Sequence, residues 1–416
     1  MPATTLAADA STMPPAAPDA AAPYLQLGTP GYRRAALATF FGGFATFAML
    51  YCLQPLMPEL ATEFALTPAQ ASGAMSMATG GLALFLVPAS LLADRVSRKV
   101  AMSTALALSG LLTVCAALAP NFPALLGVRA LFGIALAGLP AIGMAYLSEE
   151  IEPASLGRAM GLYIAGNALG GLSGRLLSPL LAGAVSWRLA TCVIGALGIA
   201  SAIAVARTLP ASRHFRPRRS DLRGILRQTT TLFRDAGLPW LFACGFLLMG
   251  AFVSYYNYLG FRLSAPPFSL PLSVQGLVFL PYIFGMFASA WAGRLADRFG
   301  RREVMWAMVA VMIAGMLLSF SGSAIVLGLG AVGVTFGFFA AHSIASSWVG
   351  RRAREHRSLA SALYLTAYYA GSSLLGWTSG LVWHLGAWHA VIIILTTVLA
   401  LCFGITMYLR HLEPIR

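Results

Sequence analysis

A chain of 416 residues with 58% hydrophobic and only 10% charged side chains cannot cover a water-exposed surface, where about a quarter charged is usual, so a soluble globule is excluded. The formal net charge of +14 would suit nucleic acid only if the basic residues shared one soluble face; they fall instead in short clusters between apolar runs, which excludes that partner. The five cysteines, Cys52, Cys115, Cys192, Cys244 and Cys402, stand singly inside those runs, with neither metal-ligand spacing nor a disulfide framework.

Residues 1–32 are rich in Ala, Pro and Thr and hold no apolar run, which predicts a disordered cytoplasmic tail and no cleaved leader. From Ala35 onward apolar stretches of about twenty residues recur, the length that crosses roughly 30 Å of hydrocarbon. They predict twelve spans, at 35–57, 71–93, 100–119, 124–147, 159–184, 189–207, 238–261, 275–296, 303–322, 324–348, 359–384 and 390–409. The chain therefore reads as an all-α membrane protein of twelve transmembrane helices.

Arginines set its orientation. Arg33, Arg34, Arg95, Arg98, Lys99, Arg158, the eight arginines of 207–234 and most later ones fall in alternate loops, whereas Arg188 and Arg262 are the basic residues of the opposite set. Both termini are expected in the cytoplasm. The stretch 208–237 parts six spans from six, as a linker between bundles at 33–207 and 238–409, with 410–416 a second cytoplasmic tail. Within the linker Leu222, Ile225, Leu226, Leu232 and Phe233 recur at helical spacing with Arg223, Arg227 and Arg234 between them, the pattern of a short amphipathic helix on the membrane surface.

The halves repeat. Leu-Ala-Asp-Arg at 92–95 returns at 295–298, Leu162-Tyr163 returns as Leu363-Tyr364, and Trp187 matches Trp388. Two pseudo-symmetric six-helix bundles suit alternating access, one half rocking against the other about a central site.

The run Gly293-Arg294-Leu295-Ala296-Asp297-Arg298-Phe299-Gly300-Arg301-Arg302 follows the eighth span, and a weaker twin over 90–99, with Asp94, Arg95 and Arg98, follows the second. An Asp at one helix end can accept hydrogen bonds from arginine and from a neighbouring helix N-terminus. Asp94, Arg95, Arg98, Asp297, Arg298 and Arg301 are thus expected to form a cytoplasmic gate, wet ion pairs that latch the bundles and still release. These runs resemble the signature loop of the major facilitator superfamily at the equivalent place in each half. Leu125, Arg129 and Gly133 are similar to that superfamily's buried-arginine motif. Gly166-Asn167-Ala168-Leu169-Gly170-Gly171 is similar to the motif of its drug and proton antiporters, with Asn167 in the place of proline, so no kink is expected there. The segments 145–151, 173–176, 212–217, 339–343 and 345–348 resemble a bacterial subgroup of exporter type, and that resemblance implies the inner (cytoplasmic) membrane.

Gly166, Gly170 and Gly174 fall four apart, a smooth stripe for helix packing. Asn167, Gly171 and Arg175 share a separate, polar face. All fourteen acidic residues fall in the tail, loops or span ends, whereas Arg129, Arg175 and His342 lie within spans, where a charge costs about 2.5 kcal/mol or more and faces the interior. Gln54, Arg129, Asn167, Arg175, Tyr255, Asn257 and His342 are accordingly the candidates for substrate or coupling. Tyr255 and Asn257 suit an interfacial aromatic belt equally well, and His342 suits a proton carrier or a neutral hydrogen-bonded ring. A lone Arg175 favours a neutral polyhydroxylated or anionic solute over a bare cation.

No catalytic or metal constellation is present: His384 and His389 lack further ligands nearby. The expectation is a secondary transporter, not an enzyme, monomeric and without cofactor, partnered by a small-molecule solute and the lipid bilayer, and driving efflux against a proton gradient. Import, or a non-transporting sensor of the same fold, stays open.

Overall fold

The computed structural model describes residues 24–93, 95–215 and 222–412. The first rod joins α1 (Pro30–Tyr51) through a 3-10 turn (Gln54–Leu56) to α2 (Met57–Glu63). Thr29 caps α1 by accepting the Tyr32 N–H, and Pro30 opens it where no N–H is needed. Then follow α3 (Pro68–Ala93), α4 (Arg98–Ala117), a fourth rod made of α5 (Phe122–Leu136) and α6 (Leu139–Glu150), α7 (Pro153–Ala184) and α8 (Trp187–Thr208). A short helix, α9 (Leu222–Phe233), leads to the second half: α10 (Leu238–Ser264), α11 (Leu272–Gln275) with its continuation α12 (Tyr282–Phe299), α13 (Arg301–Leu318), α14 (Ala324–Arg352), α15 (Arg357–Thr378) and α16 (Trp383–His411).

Among the described residues nine stretches are long and apolar enough to cross a membrane, and one of them, Arg357–His411, holds two helices. α7 and α13 complete the twelve rods; α13 carries three charged residues, Arg301, Arg302 and Glu303, in its first turn. The twelve-helix expectation holds.

Several boundaries are corrected. The fourth span is not one helix: Gly138, at φ +85°, takes the left-handed region, and Pro140 restarts the helix beyond it. The eighth span begins with irregular turns over 272–281, where Pro271, Gly276 and Pro281 punctuate the chain. α16 bends at Gly386–Ala387. α7, lacking the motif proline, runs unbroken for 32 residues. The tail expected through residue 32 ends earlier: Leu25 N–H donates to the Glu150 carbonyl (2.8 Å), Glu152 N–H returns to Leu25 (3.2 Å), and Tyr24 stacks on His214. Residues 1–23, 216–221 and 413–416 lie outside the described residues.

Small residues bring the rods together, as expected where lipid gives no hydrophobic drive between helices. A Cβ added at Gly166, Gly170 or Gly174 would lie 2.5, 2.0 or 2.5 Å from the carbonyl oxygens of Phe40, Phe44 or Ala48 on α1. The second half repeats the contact: a Cβ at Gly371 on α15 would lie 2.0 Å from the Phe246 carbonyl on α10. The start of α1, the end of α16 and α9 share one end of the molecule, the linker end; Arg188 and Arg262 stand at the opposite, far end.

Candidate functional site

The halves meet from the far end to the middle. The Tyr258 hydroxyl on α10 donates to the Gly376 carbonyl on α15 (2.8 Å) and lies 3.0 Å from the Ser72 hydroxyl on α3, and Ser373 donates to the Ser76 carbonyl (2.7 Å). Pro58 lies against Gly260, and Pro179 against Gly276.

A line of polar side chains crosses this seam. The Arg175 Nε donates to Gln54 Oε1 (2.7 Å), Gln54 Nε2 donates to Asn257 Oδ1 (2.8 Å), and Asn257 Nδ2 points on to the Gly376 carbonyl (3.5 Å). A guanidinium only donates, so the Gln54 oxygen must face it and the amide group must face Asn257. The break between α1 and α2 places Gln54 here. Four rods, two from each half, thus contribute to one buried chain, in which Gln54, Arg175 and Asn257 are each at most 2% exposed.

Arg175 sits in an aromatic cage. Its guanidinium carbon lies 3.6 Å from the Tyr51 ring centroid, 4.6 Å from Tyr282 and 5.7 Å from Phe279, a geometry that favours a desolvated cation. Its remaining contact is the Gly171 carbonyl at 3.0 Å, and among the described residues no carboxylate pairs with it. The Tyr282 hydroxyl is buried beside it without a hydrogen-bond partner. The expected triad on α7 is brought together in part: a Cβ at Gly171 would press on the guanidinium, whereas Asn167 lies two turns away against Gly43 and Tyr163.

Arg129 serves another end. It donates to the Ala74 (3.0 Å), Leu50 (2.9 Å) and Met49 (3.5 Å) carbonyls and lies over Phe132. Met49 and Leu50 are in the last turn of α1, whose carbonyls have no acceptor role left inside the helix; Arg129 caps that terminus. Tyr255 is fully buried, paired with Ser319 (3.0 Å) and packed on Trp388, which corrects the aromatic-belt alternative. His342 Nδ1 meets the Tyr364 hydroxyl at 2.9 Å, its ring packed among Phe338, Tyr364 and Tyr368. Tyr163, the repeat of Tyr364, reaches the Pro140 carbonyl (3.2 Å) in the same way.

At the linker end Asp94 lies outside the described residues and Arg95 is exposed. Arg98 grips Glu149 on α6 at 2.8 Å. Asp297, 72% exposed, meets Arg301 of its own half at 3.4 Å across the Gly300 turn, and Arg298 lies over Phe299. The expected cross-bundle latch at Asp297 is not made here, because the turn sets Asp297 and Arg301 four residues apart on one side. Tyr51, Phe279 and Tyr282 were not singled out by sequence; only the three-residue spacing of Tyr51 and Gln54 in one apolar run hinted at the first.

Two pseudo-symmetric six-rod halves closed on a buried polar line define a secondary membrane transporter, not an enzyme. The chain belongs to the Major Facilitator Superfamily, whose sequence profile matches residues 39–290 and 261–416. It is 43% identical over 389 residues to the inner membrane transport protein YnfM of Escherichia coli (strain K12), covering 93% of each chain. It is 42% identical over 388 residues to the uncharacterized MFS-type transporter YybF of Bacillus subtilis (strain 168), covering 93% of this chain and 96% of that one. Among solved structures, a bacterial homologue of the human lysosomal transporter Spinster, inward-facing and unoccupied, aligns with TM-score 0.75 at 16% identity over 93% of this chain and 100% of that one.

Proposed function

We propose that the chain exports a small organic solute, anionic or polyhydroxylated, across the bacterial inner membrane in exchange for protons, with the linker end in the cytoplasm. The observation that carries the cargo class is Arg175: a guanidinium buried at the seam, held by a neutral amide, a carbonyl and aromatic faces. A charge at that depth without a carboxylate costs about 2.5 kcal/mol or more, and an anionic or hydroxyl-rich solute supplies the missing acceptors. The unpartnered Tyr282 hydroxyl beside it adds a group for such a solute. Basic loops support the orientation. Coupling is assigned to His342, an imidazole inside a span that reaches Tyr364 within the second half.

Reconstituted protein under an imposed proton gradient tests the reading against a panel of organic anions, sugars and cations. Gradient-driven accumulation of anions or polyols in inside-out vesicles is expected, with the pH profile flattened in His342→Gln. Export of a monovalent cation by Arg175→Ala at the wild-type rate sinks the electrostatic argument, and a wild-type pH profile in His342→Gln removes that residue from coupling.

A further inference from the structure

The two halves treat one repeated position with opposite charge. α4 and α13 begin at Arg98 and Arg301, and the helices that pack beside them, α6 and α14, end at Glu150 and Arg352. Aligned on those ends, Glu149-Glu150 of the first half corresponds to Arg351-Arg352 of the second. In the first half Arg98 closes on Glu149, Nη2 to Oε1 at 2.8 Å with Nε 3.2 Å from Oε2, and Glu150 takes His214 of the linker, Nδ1 to Oε2 at 3.1 Å. In the second half the polarity is reversed: Arg352 takes Asp235 of the linker, and the arginine that corresponds to Arg98 faces arginines where its carboxylate should be.

What remains is a cavity of about 400 Å³ lined by Gly300, Arg301, Arg302, Trp348, Arg351, Arg352 and Arg354. Its own charges are only partly met. Arg301 reaches Asp297 at 3.4 Å, Arg302 donates to the Arg410 carbonyl at 3.2 Å, and Arg351 has no hydrogen-bond or ion-pair partner among the described residues. The first turn of α13, which no side chain caps, also lines it, so unsatisfied N–H groups and the positive helix end point the same way.

We propose that this cavity binds a phosphate-bearing anion, in the place that the Glu149 carboxylate fills in the first half, and that its source is the headgroup of an anionic phospholipid. Basic pockets between helices at the cytoplasmic surface suit such headgroups, Trp348 belongs at that depth, and α12, the rod that leads to the cavity, exposes Phe284, Phe287 and Trp291 at helical spacing for acyl chains. The placement at the membrane surface rests on the orientation proposed above; the anion site itself does not.

The test uses the delipidated full-length protein in a nonionic detergent, with melting temperature as readout, in the presence of phosphatidylglycerol, phosphatidylcholine or sodium phosphate at matched ionic strength. Phosphatidylglycerol is expected to raise Tm by roughly 3 °C or more, phosphatidylcholine far less, and Arg351→Glu, which supplies the carboxylate internally, removes the rise. A rise with phosphatidylglycerol but not sodium phosphate identifies the lipid; an equal rise with sodium phosphate keeps the anion site and assigns it to free phosphate. Arg351→Gln carries the comparison if Arg351→Glu does not fold. The proposal is overturned if neither probe raises Tm, if the rise survives in whichever Arg351 variant folds, or if Arg207→Glu at the end of α8 loses it equally. Because no cargo is involved, failure here is separate from failure of the transport reading.

Discussion

Single side chains in this protein are defined by what they lack as much as by what they touch. Arg175 has planar partners, a ring face and an amide oxygen, that an ammonium group does not satisfy. Arg175→Lys is therefore expected to fold and to raise the KM for an anionic cargo about tenfold, the effect of roughly 1.4 kcal/mol, measured as concentration-dependent uptake into vesicles. An unchanged KM would move cargo recognition elsewhere. Asp235 offers a test in a different currency, acidity. Burial alone would raise its carboxyl, but hydrogen bonds from Arg352 and from the Gly237 and Leu238 N–H groups hold it below the usual range. A depressed folded-state value means stability that is full above the unfolded Asp value of about 3.9 and is lost as pH falls through the folded one. The carboxylate is 25% exposed, so the contribution is discounted to about 1 kcal/mol. Asp235→Asn should lower Tm slightly at neutral pH and close the gap to wild type below that window; a constant gap down to acid pH would count against the linkage.

Helices here are positioned by glycine more than by apolar bulk. Gly170→Ala would force a Cβ to 2.0 Å from the Phe44 carbonyl, so α1 and α7 must part, whereas nothing lies within 4 Å of a Cβ at Gly157 on the same helix. The first change is expected to cost about 1–3 kcal/mol and to lower Tm in detergent; Gly157→Ala should leave it unchanged or raise it. Equal behaviour of the two would mean that this contact does not hold the bundle. The number and order of helices were legible because lipid demands runs of about twenty apolar residues, and the stripe was legible because helical spacing is fixed. Breaks inside spans were not: Gly138 is one glycine among 42, and its left-handed φ and the close approach of Ala89 on α3 show only in the fold. The same holds for the site. Gln54, Arg175 and Asn257 stand out as polar residues in apolar surroundings, but Tyr51, Phe279 and Tyr282 are hidden among 24 phenylalanines and 13 tyrosines, because aromatic residues in a span are as often packing as lining.

For the whole molecule the question is whether the seam parts during transport. A Cβ built at Gly80 lies 3.5 Å from the Ser373 Cβ, within the spacing of a disulfide. Cysteines at both positions should cross-link on mild oxidation, stop transport, and release it on reduction. Full transport by the cross-linked protein would show that α3 and α15 move as one body. Each single replacement is the control, since Cys115 and Cys192 are half-exposed while Cys52, Cys244 and Cys402 are buried.

Gln54 has one oxygen committed to Arg175 and one nitrogen committed to Asn257. Under the proposed function, a solute that took the guanidinium would displace that oxygen, and the side chain turning away would also let go of the opposite half. Loading and unlocking would then be a single event in the proposed exchange, and an empty carrier would have no inexpensive way to swing. Gln54→Ala is expected to break this bookkeeping: solute should leak down its gradient without a proton moving the other way, seen as downhill flux that no longer acidifies the vesicle interior. Tight exchange preserved in that variant would place the safeguard against slippage at another point of the seam.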